Sequence, residues 1–301
     1  MDRKLKVARL LHNPGAGVED HSERELIKVI EAAGFECRYS STKKNALKSI
    51  ETDVDFLIVG GGDGTVRKIT KALLNRRMVE KSFPIALLPL GTANNIAKTL
   101  GINGSAEEII QHLPVAKIQS FDVGLLYNVP KSDFFLESFG YGIFPYLMLE
   151  MEKVNLDKLE TPEEKIRQAL EVLHTIVLSY EPRLCNLVID EVDYSGKFLL
   201  AEVMNTKSIG PRLNLAPAAD PGDGLLEVVL VPEAEKMKFA RFVEERINGS
   251  TEGFDFRIIR GKSITISWIG THVHVDDEII KMKKANEVKI DIKKGLLEFM
   301  V

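Results

Sequence analysis

Four of the five residues from Gly60 to Gly64 are glycines, and few backbone arrangements need such a run. The run directly follows Phe56 to Val59, an apolar segment typical of a strand that helices cover on both faces. Helical spacing of apolar residues begins just after it, at about Val66. Glycine permits positive φ and close approach to the backbone, and a helix N-terminus attracts anions. The sequence therefore predicts a phosphate-binding turn between a buried strand and a helix.

The acidic residue of this turn, Asp63, indicates what kind of ligand it serves. A carboxylate repels phosphate unless a cation lies between them, so Asp63 indicates Mg²⁺-linked phosphate or a carboxylate near a reacting hydroxyl. The run is not a Walker A loop, because Lys and Ser/Thr do not follow its last glycine. It is not the dinucleotide fingerprint either, because Thr65 stands at the last glycine position. A tight turn without a ligand remains the alternative.

Three more segments are expected at the same edge of the sheet. They are Asn13 to Gly17, the run that ends at Thr42, and Leu90 to Asn94. In a parallel sheet the loops that follow the carboxyl ends of the strands gather on one side. Asn13, Thr42, Thr92 and Asn94 offer neutral hydrogen-bonding groups that suit phosphate, ribose or adenine. Asn13 would also be explained by a simple Asx-turn.

Strand and helix patterns alternate as far as about Phe121, which predicts an α/β N-terminal domain with a doubly wound parallel sheet. Beyond that point short strand-like runs are separated by Gly, Asn, Asp and Pro, which predicts a mainly antiparallel β-sandwich C-terminal domain. We place a nucleotide-binding domain at residues 1–122 and a β-rich acceptor-substrate domain at residues 123–292. The tail at about 293–301 is expected to return to the first domain.

The composition argues against several functional classes. The formal net charge of the 301 residues is -4, so no basic face predicts nucleic-acid binding. The longest apolar stretch, Phe139 to Leu149, is shorter than the roughly 20 residues of a membrane-spanning helix. The N-terminus has no signal-peptide pattern, and two cysteines suit a reducing compartment. We therefore expect a cytoplasmic protein, peripheral at the membrane if its substrate is a lipid, whose edge strands would allow a homodimer.

Five segments, taken in order, resemble the lipid kinase family that includes diacylglycerol kinases, sphingosine kinases and the bacterial lipid kinases related to them. Gly61 to Thr65 together with Leu88 to Asn95 resemble the catalytic domain, and Asn13 to Gly17 resemble the motif that opens it. Downstream, Leu215 to Leu226 resemble the family's Ala-Pro-x-Ala…Asp-Gly segment. His274 to Glu278 stand where the family has Asp-Gly-Glu.

The resemblance implies a kinase that uses ATP and Mg²⁺ to phosphorylate the hydroxyl of diacylglycerol or a related lipid. It implies that Glu278, supported by Asp276, is the base for the substrate hydroxyl, with Asp63 a further catalytic residue. It implies Mg²⁺ near Asp223, helped by backbone oxygens at Asp220 and Leu225. Together with the shared sheet edge, it predicts as nucleotide-binding residues Asn13, Pro14, Gly15, Ala16, Gly17, Thr42, Gly60, Gly61, Gly62, Asp63, Gly64, Thr65, Val66, Gly91, Thr92 and Asn94.

Several alternatives stay open at this point. Asp277 replaces the family's usual glycine, so the backbone path beside Glu278 is uncertain and a non-catalytic nucleotide- or lipid-binding regulator is one alternative. NAD kinase shares the glycine run, although its second Asn-Glu motif near position 130 is absent. His272, His274 and Asp276 alternate along one strand and would suit zinc, but we favour a polar strand face beside the acceptor site. The identity of the lipid is not encoded in any of these motifs.

Overall fold

The computed structural model describes residues 5–16, 22–42, 50–74, 83–155, 159, 161–282 and 286–301. The chain divides into two compact units, one formed by Met1–Phe121 with Gly295–Val301 and the other by Asp122–Lys294. Among the described residues, no helix is both long enough and apolar enough to span a membrane.

The first unit is an α/β unit with a parallel sheet whose strand order is β2-β1-β3-β4. At the C-terminus, Phe299 and Met300 add a further parallel pairing, with Ile85 and Ala86. The elements are β1 (Lys6–His12), α1 (Glu23–Ala32), β2 (Phe35–Ser41), β3 (Phe56–Gly61), α2 (Asp63–Leu74), β4 (Ile85–Pro89), α3 (Asn95–Thr99), α4 (Ala106–His112) and a 3₁₀ turn at Leu113–Val115.

Local sequence explains where the elements of this unit begin and why they pack. Ser22 and Ser105 each form a capping box, with the glutamate three residues later, and so start α1 and α4. Every residue of β3 is buried, as its unbroken apolar sequence predicts for a strand inside a parallel sheet. The predicted α/β fold with parallel strands is confirmed for this unit.

The second unit is built mainly from antiparallel strands. Its central strand, β10, pairs antiparallel with β7, β8 and β13. The elements are β5 (Ile118–Tyr127), β6 (Phe134–Phe135), β7 (Ser138–Gly142), α5 (Ile143–Met151), α6 (Pro162–Ser179), β8 (Arg183–Ile189), β9 (Val192–Asp193), β10 (Gly196–Met204), β11 (Ser208–Ile209), β12 (Leu213–Asn214), β13 (Leu226–Pro232), a 3₁₀ turn at Glu233–Glu235, α7 (Lys236–Ile247), β14 (Arg257–Gly261), β15 (Ser263–Trp268), β16 (His272–Val275), β17 (Glu278–Lys281) and β18 (Val288–Met300). The predicted antiparallel β-sandwich is confirmed.

Helix α5 has no counterpart in the sequence predictions, because the apolar stretch around it gives no clear period. The stretch forms a strand, β7, that turns at Gly142 directly into the helix. Gly142 has a φ of 101°, and a Cβ at this position would overlap the carbonyl oxygen of Leu199. Only glycine fits both requirements, so one residue sets the change from strand to helix.

Candidate active site

The glycine turn of the first unit links the end of β3 to the start of α2. The amides of Thr65 and Val66 donate to the carbonyl of Gly62 at 2.8 and 3.2 Å, which begins the helix. A Cβ on Gly61 would lie 2.5 Å from Oγ1 of Thr65. Of the described glycines, those with positive φ do not include any from Gly60 to Gly64. Of the two properties that glycine offers, close approach is thus the one that Gly61 uses in this turn.

The turn after β4 packs against the glycine turn, backbone to backbone. A Cβ on Gly91 would overlap the Cα of Gly62. Asn94 holds this second turn in shape, since its Oδ1 accepts from the Gly91 amide at 3.0 Å and its Nδ2 donates to the carbonyls of Pro89 and Gly91 at 2.8 and 2.7 Å. The side chain of Asn94 therefore orders the loop that carries Gly91.

Substituting Gly91→Ala is expected to destabilise the first unit by about 1–3 kcal/mol, because the added methyl group must push the two turns apart. Gly253→Ala is the matched control, since a Cβ at Gly253 would meet no atom within 4 Å. Urea unfolding of both variants measures the effect. Equal free energies of unfolding for the two would contradict the close contact described here.

A pocket of about 360 Å³ opens beside the two glycine turns. It lies at the carboxyl edge of the sheet, where the residues after β1, β2 and β3 meet, as the parallel topology predicts. Its lining consists of short or neutral side chains and one lysine: Asn13, Ala16, Thr42, Gly62, Gly64, Thr65, Lys68 and Gly91. Seven of these eight residues belong to the predicted nucleotide-binding set, and Lys68 does not.

Backbone and side-chain hydrogen bonds hold the rim of this pocket together. The Asn13 amide donates to the carbonyl of Gly60 at 2.8 Å, and Asn13 Nδ2 donates to Oγ1 of Thr65 at 3.2 Å. Asn13 Oδ1 accepts from the Gly15 amide at 3.3 Å, which is the Asx-turn that the sequence suggested. The Thr42 amide donates to the carbonyl of His12 at 2.8 Å. The ends of β1 and β2 are thereby tied to the glycine turn.

The remaining predicted nucleotide-binding residues that the structure describes do not line the pocket. The side chain of Val66 is buried in the core of the first unit, with 4% of its surface exposed. Gly17 falls outside the described residues. The others are Pro14, Gly15, Gly60, Gly61, Asp63, Thr92 and Asn94. Their contact with a nucleotide stays a prediction.

Asp63 links the two glycine turns through its carboxylate. Oδ2 accepts from the Asn95 amide at 2.8 Å and Oδ1 accepts from the Ile96 amide at 3.1 Å. These amides are the first two of α3, where a negative charge is favoured. Asp63 therefore orders the N-terminus of α3 in addition to any role towards a ligand.

The second unit carries the predicted base, Glu278, at the first residue of β17, where its side chain is exposed. Asp276 and Asp277 form the two-residue turn between β16 and β17, since Val275 pairs with Glu278. Asp276 has a φ of 51° and Asp277 is not among the described residues with positive φ. The residue that replaces the family's glycine therefore does not require the conformational freedom of glycine.

The carboxylate of Asp276 is held by the backbone rather than directed at solvent. It accepts from the amides of Leu136, Glu137 and Ser138 at 2.8–3.2 Å, and the Asp276 amide donates to the carbonyl of Ser138 at 2.8 Å. Only 8% of the residue is exposed. Asp276 thus fixes the turn that precedes Glu278, which agrees with a supporting role.

His274 lies in the core behind this turn, so the expectation of a polar face is wrong for it. His274 and Glu202 are both 0% exposed, and Nε2 of the histidine lies 2.8 and 2.9 Å from the two carboxylate oxygens of Glu202. Its Nδ1 lies 3.0 Å from the carbonyl oxygen of Asp276 and must carry a hydrogen, because a carbonyl only accepts. Burial opposes a charge on the imidazole, but the contacts with Glu202 and Asp276 together outweigh that effect and raise the pKa of His274.

A glycine on the middle strand makes this buried pair possible. In the order β16-β7-β10, Gly140 lies opposite both His274 and Glu202. A Cβ on Gly140 would overlap the Glu202 carboxylate. The pair therefore joins two strands across the one position where no side chain intervenes.

The side chains of Arg260 and Lys294 supply positive charge to the loop that was predicted to hold Mg²⁺. One carboxylate oxygen of Asp223 contacts the guanidinium of Arg260, and the other accepts from the Leu225 amide at 2.9 Å. The carbonyl of Asp223 accepts from Nζ of Lys294 at 3.3 Å. Asp220 accepts from the Gly222 amide at 3.0 Å. This arrangement does not fit a bound Mg²⁺, so the metal role of Asp220, Asp223 and Leu225 stays a prediction that the geometry disfavours.

Two further observations bear on metals. Within the part of the chain that the structure describes, no group of three His, Cys, Asp or Glu side chains is arranged to hold a metal ion. Arg260 also bonds Glu227 at 3.2 Å, and burial raises the pKa of Glu227 to about 7 although the arginine opposes that rise. Arg260 thus pairs with the carboxylates of both Asp223 and Glu227.

Sequence reasoning missed Lys68 and Glu202. Lys68 stands four residues after Gly64 in α2, and this helical spacing could have indicated that it reaches the glycine turn. Glu202 interrupts the apolar run Leu199 to Met204, which is a sign of a buried carboxylate that needs a partner. No local signal could identify that partner, His274, because it lies 72 residues away.

The chain consists of a parallel α/β unit with a glycine-lined pocket, followed by an antiparallel β-sandwich. This combination can be compared with known protein families. Comparison with family models matches residues 7–126 to the diacylglycerol kinase catalytic domain and residues 152–289 to the YegS C-terminal NAD kinase β-sandwich-like domain. Residues 7–126 are thus similar to diacylglycerol kinases, and residues 152–289 are similar to the C-terminal domain of YegS.

Similar proteins are found among curated sequences and among solved structures. The diacylglycerol kinase of Bacillus subtilis is 23% identical, with 96% of this chain and 86% of that protein aligned. A crystal structure of a putative diacylglycerol kinase from Bacillus anthracis has 22% identity and a TM-score of 0.74, and covers 100% of this chain and 97% of that one. An NAD kinase from Archaeoglobus fulgidus, solved with ATP, has 13% identity and a TM-score of 0.52, covering 98% and 94%. The two structural likenesses show a shared fold.

Proposed function

We propose that this protein transfers the γ-phosphate of ATP, supplied as its Mg²⁺ complex, to the hydroxyl of diacylglycerol or a related lipid. The observation that carries the proposal is the glycine-lined pocket, which lies within the segment that matches a lipid kinase catalytic domain. Backbone amides at the start of α2 suit the binding of a phosphate chain. Phosphoryl transfer depends mainly on the positions of the reacting groups and on neutralising the charge of the phosphates. Few catalytic side chains are therefore needed beyond the phosphate-binding turn.

Glu278 is the group proposed to accept the proton of the lipid hydroxyl. It is exposed, as a residue that meets a substrate must be, and follows a turn that Asp276 fixes through three backbone amides. A positioned general base typically contributes about 10²–10⁴-fold to the rate. The supporting role proposed for Asp276 is to hold this turn in one conformation.

The two alternative functions have weaker support. NAD kinase is represented by a fold likeness at 13% identity, which carries no information on substrate. The non-catalytic regulator depended on Asp277, but the positive φ of the turn falls on Asp276, so Asp277 gives no structural reason for inactivity.

The lipid acceptor leads us to propose a cytoplasmic site of action at the membrane surface, and a homodimer through edge strands remains a proposal.

Transfer of labelled γ-phosphate tests the function directly. The protein is incubated with labelled ATP and Mg²⁺ and with mixed micelles that contain diacylglycerol, a sphingoid base, phosphatidylglycerol or an undecaprenol-like alcohol, with NAD and water as controls. Label on a lipid is the expected result and names the acceptor. Label on NAD alone, or on no alcohol despite bound ATP, would overturn the proposal.

A further inference from the structure

We propose that Lys68 binds the phosphate chain of the nucleotide, an inference that rests on the proposed function and adds a residue to its site. Of the described residues that line the pocket, Lys68 alone has a charged side chain. Glycines of both turns line the pocket with it, and an ammonium group contributes the positive charge that a triphosphate needs.

The position of Lys68 on α2 directs its side chain towards the glycine turn. The residue lies in the second turn of a helix that begins at Asp63. Helical side chains lean towards the N-terminus of their helix, so a lysine here extends back over the first turn. Its Nζ donates to the carbonyl of Thr42 at 2.7 Å, which places the ammonium group at the rim of the pocket.

This placement suits a bound anion. Asp63 in the first turn of α2 offsets the partial positive charge of the helix N-terminus, so a lysine ammonium is tolerated in the next turn. A lysine ammonium has three N–H donors, and Thr42 accepts one of them. The hydrogen bond to Thr42 fixes the direction of the side chain, and the other donors are available to a phosphate oxygen. A bound triphosphate would accept those hydrogen bonds and pair its negative charge with the ammonium group.

The same helix offers a matched control. Lys71 is also exposed on α2 but does not line the pocket. Lys68→Met and Lys71→Met each remove one positive charge and keep a similar side-chain length. Lys68→Arg retains the charge, so it separates the loss of charge from the loss of the particular side chain.

The test is the dissociation constant of ATP and of adenosine for the whole chain, measured by calorimetry without any acceptor. Lys68→Met is expected to weaken ATP by about 10–100-fold and to leave adenosine unchanged, since hydrogen bonds to charged groups contribute at that level. Lys68→Arg should restore most of the ATP affinity, and Lys71→Met should change it less than about twofold.

Each other outcome counts against the proposal. An ATP affinity in Lys68→Met within about threefold of the original chain would overturn it, and so would an equal loss for ATP and adenosine, which indicates a disturbed pocket. Absence of ATP binding to the unmodified chain would overturn both this inference and the kinase function. ATP binding that depends on Lys68, without transfer to any lipid, would support the inference and overturn only the function.

Discussion

Glu278→Gln is expected to lower kcat for lipid phosphorylation by about 10²–10⁴-fold, because glutamine cannot accept the proton of the substrate hydroxyl. The residue is exposed at the start of β17, so the substitution removes a charge without creating a cavity. The dissociation constant of ATP should stay within about twofold, because Glu278 does not line the nucleotide pocket. Steady-state kinetics with the lipid from the acceptor panel, together with calorimetry for ATP, measure both quantities.

Asp277→Asn is the control for this substitution. Asp277 is the neighbouring exposed carboxylate of the same turn, and its backbone takes no positive φ. We expect the kcat of this variant to change less than about threefold, as for other surface charges that make no contact with the reacting groups. If Asp277→Asn lost as much activity as Glu278→Gln, general electrostatics of the turn would explain the effect and Glu278 would not be the base.

Glu202→Ala is expected to destabilise the second unit by about 3–5 kcal/mol, the range found when one partner of a buried ion pair is removed. The glutamate is fully buried, and both of its carboxylate oxygens lie within 2.9 Å of His274. Alanine would leave the imidazole of His274 without its carboxylate partner and open a cavity beside Gly140. The free energy of unfolding in urea measures the loss.

A surface pair provides the comparison for Glu202. Glu245 pairs with Arg241 at 3.0 Å on α7, where the two side chains are 42% and 80% exposed. Such pairs contribute about 0.3–0.5 kcal/mol, so Glu245→Ala should be nearly neutral. A Glu202→Ala variant as stable as Glu245→Ala would show that the core tolerates an unpaired His274 and that the pair contributes little.

The α/β unit could be predicted from sequence because its signals are local. Apolar runs such as Phe56 to Val59, each followed by a turn with Gly or Asn, predict both the parallel strands and the edge where their loops meet. Seven pocket residues follow from that reasoning together with the family resemblance. Sequence reasoning could not tell which property of glycine the turn from Gly60 to Gly64 uses. The structure shows close approach at Gly61 and no positive φ in the turn.

Features of the second unit that depend on distant contacts could not be predicted. The burial of His274 depends on Glu202 and on the space above Gly140, which lie on two other strands. The Arg260 contact with Asp223 joins residues 37 positions apart and occupies a carboxylate oxygen that was predicted to bind Mg²⁺. Helix α5 was missed because Ile143 to Met151 is apolar on nearly all sides, so periodicity does not separate it from a strand.

The contact between Gly62 and Gly91 limits how nucleotide preference can evolve in this protein. Because backbone meets backbone there, a side chain at Gly91 would have to displace the opposite turn. The rim is different, since Asn13, Thr42 and Lys68 present side chains that mutation can exchange one at a time. Selection for another phosphate donor would therefore act first on the rim, because a substitution at Gly91 would also destabilise the unit.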